Sequence, residues 1–474
     1  MAEHSGTGWG TAQAARPRRE ATAGPGGSGG VQAVRGGRHA RRRDTDLPVD
    51  PFASRWQRMR AGRRPRLDGR PAVILLASLI VALLAASAAP TPLYAIYQAQ
   101  WHFTPITTTI VFGVYAVAVL VSLLVLGKLS DHLGRRPVLI TAIAVHVSSL
   151  VIFATASGVP MLLAARIVQG LSTGAALGAI GAAMLDMDRE LGTFANSVAP
   201  GMGSASGAIL SALAIRFLPA PTHLIYLALA GVFVLEVIGI VFLRETVTPQ
   251  RGTLASLRPE IKLPRTLRGP VLTAVPVLFA VWALAGLYGA LGPALVHTLT
   301  GSSGVVLDSL GFFLLAATAV VAIVALRRTA AQTVMTVGIL ALIGGVAVTV
   351  AAVTLRSPAL LFIGTAIAGT GFGSGFQGGI RTVVPLAAPH ERAGVVSLLY
   401  VVSYLGLGVP AVAAGFLVVH GGGLIDTTRY YGGAVIVLAA AALVGLVSTH
   451  RSRSAAQDTQ PAAVPATCPA QGIR

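Results

Sequence analysis

Apolar residues along most of this chain come in continuous runs rather than in strict alternation. From about residue 72 onward the runs are each some twenty residues long, and Pro, Gly or charged residues close them. A run of about 20 apolar residues spans a bilayer core as a helix, which satisfies its own backbone hydrogen bonds in lipid. The lack of alternation argues against a transmembrane barrel. The pattern predicts helices over 72–95, 106–127, 137–156, 160–184, 194–216, 222–243, 271–294, 304–326, 331–353, 358–380, 393–418 and 430–449. The expected fold is therefore an all-α membrane protein with twelve transmembrane helices.

Composition supports this and narrows the function classes. With 54% hydrophobic and 11% charged residues, a soluble chain of this length would lack the charge to cover its surface. The formal net charge of +19 first suggests a nucleic-acid partner. Fifteen arginines, however, lie within residues 1–70, a Gly-, Ala- and Pro-rich stretch with no helical or strand period. That segment reads as a disordered cytoplasmic tail with weak affinity for anionic membrane lipid, and no motif points to a specific nucleic acid. It is too long and too charged for the basic end of a cleaved signal peptide. The one cysteine, Cys468, allows no disulfide within the chain. No metal-ligand cluster or nucleophile triad is evident, so no metal, cofactor or enzymatic activity is expected. The stretch "GSGFQG" from Gly373 to Gly378 fits a dinucleotide-binding spacing but lies inside an apolar run with no strand before it.

The spread of charge sets an orientation. With both termini in the cytoplasm, only Arg216, Arg356 and Arg429 of all Lys and Arg residues fall outside, and Arg166 lies within a span. The positive-inside rule selects this arrangement in a cytoplasmic (inner) membrane. The connection 244–270 carries six Lys or Arg residues and divides the spans six and six. The expected organisation is a basic tail (1–70), a first half (71–243), a cytoplasmic linker (244–270), a second half (271–450) and a second cytoplasmic tail (451–474). The fourth and tenth spans echo one another: Pro160, Gly170 and Gly174 correspond to Pro358, Gly369 and Gly373. Two parallel six-helix repeats describe one class of secondary transporter.

The link between the second and third spans reads "GKLSDHLGRRP", from Gly127 to Pro137. Gly127 lets a neighbouring helix approach. Asp131 is placed to accept from N–H groups at a helix N-terminus. Gly134 suits a turn with positive φ, and Arg135 and Arg136 can bridge to carboxylates. A positive-inside anchor would explain the arginines but not the glycines and the aspartate around them. The link resembles the loop signature of the major facilitator superfamily, G-x-L-[AS]-D-x-x-G-R-R, at every fixed position. The resemblance implies two pseudo-symmetric six-helix halves over about residues 72–449. It also implies that the loop latches the halves together in an outward-open state. Asp131 would then face the start of the eleventh span near Ala393 and Gly394, and Arg135 would pair with Asp186 or Asp188.

Other residues add candidate chemistry. Arg166 lies inside the fourth span, where an arginine costs roughly 2.5–3.5 kcal/mol on insertion scales. It should either face a cavity or partner or reach back to the outer interface. Arg166, Gln169 and Gly170 resemble the family's R-x-x-Q-G signature, which implies influence on a proton-carrying acid. Asp308, near the outer end of the eighth span, and Glu236, near the inner end of the sixth, are the acids that could carry that proton; either can equally be interfacial. His146 reads as a satisfied polar residue. In the fifth span Ala199, Gly203, Gly207 and Ser211 recur every four residues and predict a close-packing seam. The family's antiporters carry G-x-x-x-G-P-x-x-G-G there, whereas this chain has Pro200 and Gly201 in reversed order. Two prolines in "PTPLYAIY" should disrupt the outer end of the first span, leaving Tyr94 and Tyr97 as interfacial belt residues or as an entrance lining. Gln169, Tyr94, Trp282, Tyr288 and Gln377 are the substrate-cavity candidates. The expected function is a monomeric secondary transporter moving a small, amphipathic solute by alternating access, as proton-coupled efflux. The alternatives are a proton symporter for uptake and a sensor or scaffold that does not transport.

Overall fold

Runs of apolar residues in lipid have one way to satisfy each backbone N–H and C=O, and every predicted run is a helix. The computed structural model describes residues 66–248, 257, 259, 263–302, 304–388 and 391–458, without the side chains of 393 and 449–458. Most of the tail 1–70, the middle of the linker 244–270 and Cys468 lie outside the described residues. Among the described residues, twelve helices are long and apolar enough to cross a membrane. They are Gly69–Trp101, Pro105–Leu126, Arg135–Ala154, Val159–Met187, Arg189–Phe217, Pro221–Val241, Arg265–Thr300, Val305–Ala325, Ala331–Leu355, Pro358–Leu386, Gly394–His420 and Gly423–Ser448. We number these spans in chain order and take inner and outer ends from the charge bias. No strand occurs among the described residues beyond an isolated bridge of Leu67 with Leu243. That bridge ties the entry of the first span to the exit of the sixth. Beside it, Arg244 donates to Asp68 (2.6 Å), which also accepts from the N–H of Gly69. The Arg244 bond, then the Gly69 bond, hold the Asp68 carboxyl below its ordinary pKa.

Several ends differ from the sequence reading by five to seven residues, among them both ends of the seventh span and the end of the tenth; three have a clear local cause. The prolines of the first span do not end it. Pro90 sits at the first position of a new segment, Pro90–Trp101, where its missing N–H has no intrahelical role. The fifth span starts earlier, at Arg189, because Asp188 caps it: its Oδ1 accepts from the N–H of Leu191 at 3.0 Å. The twelfth span starts at Gly423, because its polar first turns satisfy themselves. Asp426 pairs with Arg429 at 2.8 Å, and Thr428 donates to the Leu424 carbonyl at 2.8 Å.

Small residues decide which helices touch. A Cβ on Gly203 would lie 2.5 Å from the Val81 carbonyl, and one on Gly207 would overlap the backbone of Ala85. Ser211 donates to the Ala89 carbonyl at 2.7 Å. Positions four apart on the fifth span thus meet positions four apart on the first. The echo between the fourth and tenth spans has the same physical content. A Cβ on Gly170 or Gly174 would meet the carbonyl of Tyr115 or Val119 on the second span; one on Gly369 or Gly373 would meet that of Leu315 or Ala319 on the eighth.

Two large cores result. One is built from the first six spans, and the other from the last six together with Phe112, Tyr115 and Ala116 of the second. The halves meet where Gly113 and Thr109 of the second span face Val412 and Gly415 of the eleventh, and where Gly201 of the fifth faces Val320 of the eighth. At the outer end Thr91 of the first span donates to the Gly289 carbonyl of the seventh at 3.2 Å. Pro293, four residues on, has no N–H to offer that carbonyl, so the helix leaves it free for Thr91.

Candidate functional site: an inner charged loop and a buried arginine

Gly134 has φ +99° and ψ 153°, which ends the short helix Leu129–Leu133 and starts the third span in one residue. A Cβ there would press against the Glu245 carboxylate. That carboxylate accepts from the backbone N–H of Arg135 (2.8 Å) and of Arg136 (2.9 Å). The acid at this helix N-terminus is therefore Glu245, not Asp131. Asp131 instead receives the Arg135 guanidinium one turn away. Arg135 also donates to Ser130 (2.7 Å) and to Asp186 at the end of the fourth span (3.2 Å). Asp186 accepts a further bond from Thr246 at 2.8 Å. Asp188, the other acid expected beside Arg135, is the cap of the fifth span. Arg136 donates to the Val241 carbonyl at the end of the sixth span. Gly127 lies against Gly178 of the fourth span, 3.2 Å from where a Cβ on Gly178 would sit. Among the described residues, the hydrogen-bond partners of Asp131, Arg135 and Arg136 lie in the first half or, for Glu245, at the start of the linker, not at the start of the eleventh span.

Sequence reasoning missed Glu245. The available signal was an acid directly after the sixth span in an otherwise basic linker. Replacing Glu245 with Ala removes two charge-assisted bonds to N–H groups that the helix cannot use, a capping loss of about 0.5–2 kcal/mol. Amide exchange at Arg135 and Arg136 should speed up accordingly, by mass spectrometry, together with Thr246 and Val247, whose N–H groups also donate to Glu245, while the fifth span, capped by Asp188, is unchanged.

Arg166 does not reach back to the interface. It is fully buried, and its partners are neutral. Nη1 donates to the Ser87 carbonyl (2.9 Å) and to Gln169 Oε1 (2.7 Å), while Nε and Nη2 both donate to the Tyr94 hydroxyl (3.1 and 2.6 Å). The rings of Tyr115, Phe153 and Tyr94 lie 5.2, 5.6 and 5.7 Å from the guanidinium carbon, within cation–π range. The break in the first span explains this cluster. Pro90 cannot donate to the Ala86 carbonyl, and Gln169 Nε2 takes that role at 3.1 Å. Tyr94 and Tyr97 are thus core residues rather than belt residues; Tyr97 stacks on Trp101 and bonds the Tyr226 hydroxyl at 3.3 Å. His146 is also fully buried, with Nδ1 at 3.0 Å from Ser172 Oγ.

The two acids lie apart from this cluster. Asp308 is in the first turn of the eighth span and pairs with His297 of the seventh at 3.4 Å. Glu236 is buried on the sixth span, with Oε2 lacking a partner.

Among the cavity candidates, Gln169 and Tyr94 are enclosed in the Arg166 cluster. Tyr288 is enclosed in the second half, bonded to Thr365 at 2.7 Å. Trp282, at mid-span, and Gln377, in the inner third of its span, are only half-buried. Trp282 has Phe372, Phe376 and Tyr404 around it, at centroid distances of 6.1, 5.6 and 5.1 Å. A separate apolar groove of about 640 Å³ opens on the outward-facing side of the second, fourth and eleventh spans, among Val117, Val121, Ile167 and Val409. Those side chains are exposed hydrophobics, as expected of a lipid-facing surface.

The fold has known counterparts. Residues 74–408 match the family model of the Major Facilitator Superfamily. A 64-residue stretch is 36% identical to multidrug resistance protein D of Escherichia coli (strain K12); it covers 14% of this chain and 16% of that protein. A crystal structure of a mutant of the nucleoside transporter NupG superposes with a TM-score of 0.62 at 16% identity, over 79% of this chain and 99% of that one. The human organic anion transporter MFSD10 superposes with a TM-score of 0.58 at 19% identity, over 78% and 97%. At these identities the two structures speak for the fold alone, but the family match spans most of the membrane region, and the chain belongs to the Major Facilitator Superfamily.

Proposed function

We propose that this chain is a secondary transporter that moves a small, amphipathic solute across the cytoplasmic membrane by alternating access, in exchange for protons. Both termini lie in the cytoplasm and the monomer is the working unit. The observation that carries the reading is a pairing at opposite ends. The outer ends of the halves are joined by the Thr91–Gly289 bond, while Asp131, Arg135 and Arg136 at the inner end bond within their own half. That is the pattern of one conformer of a two-state cycle, with the outer ends joined and the side chains of Asp131, Arg135 and Arg136 held within the first half; Arg327 over the Phe194 ring, at 5.6 Å, also joins the halves at the inner end. The short stretch similar to multidrug resistance protein D supports export. The reversed Pro200–Gly201 order in the fifth span favours the second reading, proton symport for uptake.

Thr91→Val tests the gate. One net hydrogen bond contributes about 1 kcal/mol, so the outward-open population should rise about fivefold. In a Cys468→Ser background, the buried Thr109, packed on Gly415, is replaced by Cys. Its alkylation by an impermeant maleimide should then be about fivefold faster with Thr91→Val. Equal rates would remove the bond from the gate.

Of the coupling candidates Arg166, Asp308 and Glu236, Asp308 is the best placed to exchange protons, since it keeps some exposure beside His297. In proteoliposomes, Asp308→Asn should abolish uphill movement under an imposed pH gradient and spare downhill exchange. Unchanged uphill transport would assign coupling elsewhere.

A further inference from the structure

The turn between the eighth and ninth spans carries an inference about how the halves are held at the inner end, which rests on the alternating-access reading. The guanidinium carbon of Arg327, just past the end of the eighth span, lies 5.6 Å from the ring centre of Phe194, in the second turn of the fifth. A basic residue at an inner helix end is the ordinary product of the charge bias. That bias asks only that the cation reach water or headgroups, as the exposed Arg328 beside it can. It does not ask for a ring on the other half of the protein.

The contact continues a seam rather than standing alone. Gly201 and Val320 meet on the same two spans, where a Cβ on Gly201 would lie 2.5 Å from Val320 Cγ2. From that meeting point Phe194 is seven residues inward on the fifth span, and Arg327 is seven residues inward on the eighth. Seven residues are about two helical turns, so two antiparallel helices bring this pair onto the same face. The ring and the guanidinium thus close the inner end of a boundary along which the halves already pack.

The turn that carries Arg327 is held from its own half. Arg381 of the tenth span donates to the carbonyls of Thr329 (2.7 Å) and Leu326 (3.4 Å), just past the last turn of the eighth helix. The first half uses the opposite polarity at the corresponding place. There the cation of the loop, Arg135, donates to the acid at the end of the fourth span, Asp186, and stays within its half. In the second half the span supplies the cation and the turn supplies the carbonyls, so the turn's own Arg327 reaches across the boundary. Arg381 is a positioning residue in this arrangement. Glu190, exposed and one turn inward of Phe194, is the rival partner for the guanidinium. Among the described residues no ion pair joins Glu190 to Arg327.

We propose that Arg327 and Phe194 form the inner lock between the halves, a cation–π contact that must part before the cytoplasmic side can open. The test is a pulsed electron paramagnetic resonance distance measurement on the detergent-purified full chain. Spin labels are attached through Asn196→Cys and Ala330→Cys in a Cys468→Ser background. Both positions are exposed, near the inner ends of opposite halves. Losing an exposed cation–π contact shifts an equilibrium about two- to fivefold. Arg327→Gln should raise the ratio of separated to closed inner ends by that factor. Phe194→Leu should do the same and the double variant no more, because both changes remove one contact. Arg381→Gln should act in the same direction only while Arg327 is present. Phe194→Trp supplies the better ring and should lower the ratio, a gain that misfolding cannot imitate. Glu190→Gln should leave the ratio unchanged. The lock is overturned by a ratio indifferent to Arg327→Gln, by full additivity in the double variant, or by a Glu190→Gln effect as large as that of Arg327→Gln. Faster alkylation of Cys at position 109 in Arg327→Gln also overturns it, since that means general loosening rather than opening at one end. Proteoliposomes separate this from the parent reading. If the distances respond as expected and no solute moves, the lock stands and the transport reading fails. If a solute is transported and the distances ignore these changes, only this inference fails.

Discussion

Gly207→Leu should leave little folded protein. A Cβ at this position would overlap the Cα, carbonyl carbon and oxygen of Ala85, and backbone cannot move aside as a side-chain tip can. The first and fifth spans must therefore separate along their whole seam. That separation also opens the Gly203–Val81 approach and stretches the Ser211–Ala89 bond (2.7 Å). Overpacking in a well-packed interior costs about 1–3 kcal/mol, and the loss of the seam adds to it. The first span also holds the break to which Arg166, Gln169 and Ser211 attach and from which Thr91 reaches Gly289, so a shift there spreads to the fourth, fifth and seventh spans. The measurement is the fraction surviving as a monodisperse peak in fluorescence-detected size exclusion after stepwise heating. Gly231→Leu is the control, since nothing lies within 4 Å of a Cβ at that position. If the two variants melt together, the seam is not what holds these helices in place. Gly207→Ala should fall between them.

The seam also shows what was legible in the sequence. Spacing by four among Ala199, Gly203, Gly207 and Ser211 announces a contact face, because a helix places those residues on one side. It does not name the partner, since the small residues of the first span lie in an alanine-rich stretch where many registers look alike. Span number was legible because lipid leaves the backbone no alternative to helix. Ends were less so, as the polar start of the twelfth span illustrates.

In the charged loop the sequence shows the local members, Asp131, Gly134, Arg135 and Arg136, and its family resemblance. It does not show Glu245, because a contact across more than a hundred residues leaves no trace in spacing. Asp188 is the opposite case: standing directly before Arg189, Glu190 and an apolar helix, it carries the local signature of an N-cap rather than of a partner for Arg135. Tyr94 and Tyr97 are not legible for a different reason. Aromatic residues near a proline at the end of a span look the same whether they meet headgroups or an arginine inside the bundle. Only the position of Arg166, about two turns into the fourth span from the same outer end, hinted at the second case.

Arg166→Lys should be nearly as damaging as Arg166→Leu, although it keeps the charge. The guanidinium reaches Ser87 and Gln169 on one side and the Tyr94 hydroxyl on the other, and it lies within 5.7 Å of three ring centres. A lysine ammonium is a compact point charge that cannot serve both sides at once and does not lie flat over a ring. With the residue fully buried, each acceptor left unpaired costs about 1–3 kcal/mol, and an ammonium without its full set of partners costs more. A loss of about 3–5 kcal/mol, in the range for breaking a buried charged network, should lower the melting midpoint by roughly 5–10 °C or more. The readout extends to the gate. Ser87 and Thr91 are one turn apart on the first span, so losing the hold on the Ser87 carbonyl loosens the segment that carries Thr91. Alkylation of Cys at position 109, in the background described above, should therefore accelerate in Arg166→Lys even at temperatures where the protein stays folded. A lysine variant with native melting and native labelling would mean that only the positive charge matters at this position. Native melting with faster labelling would confine the role of Arg166 to positioning the break in the first span. The expected result is both changes together, since the same hydrogen bonds that satisfy the buried carbonyls hold the outer segment against Gly289.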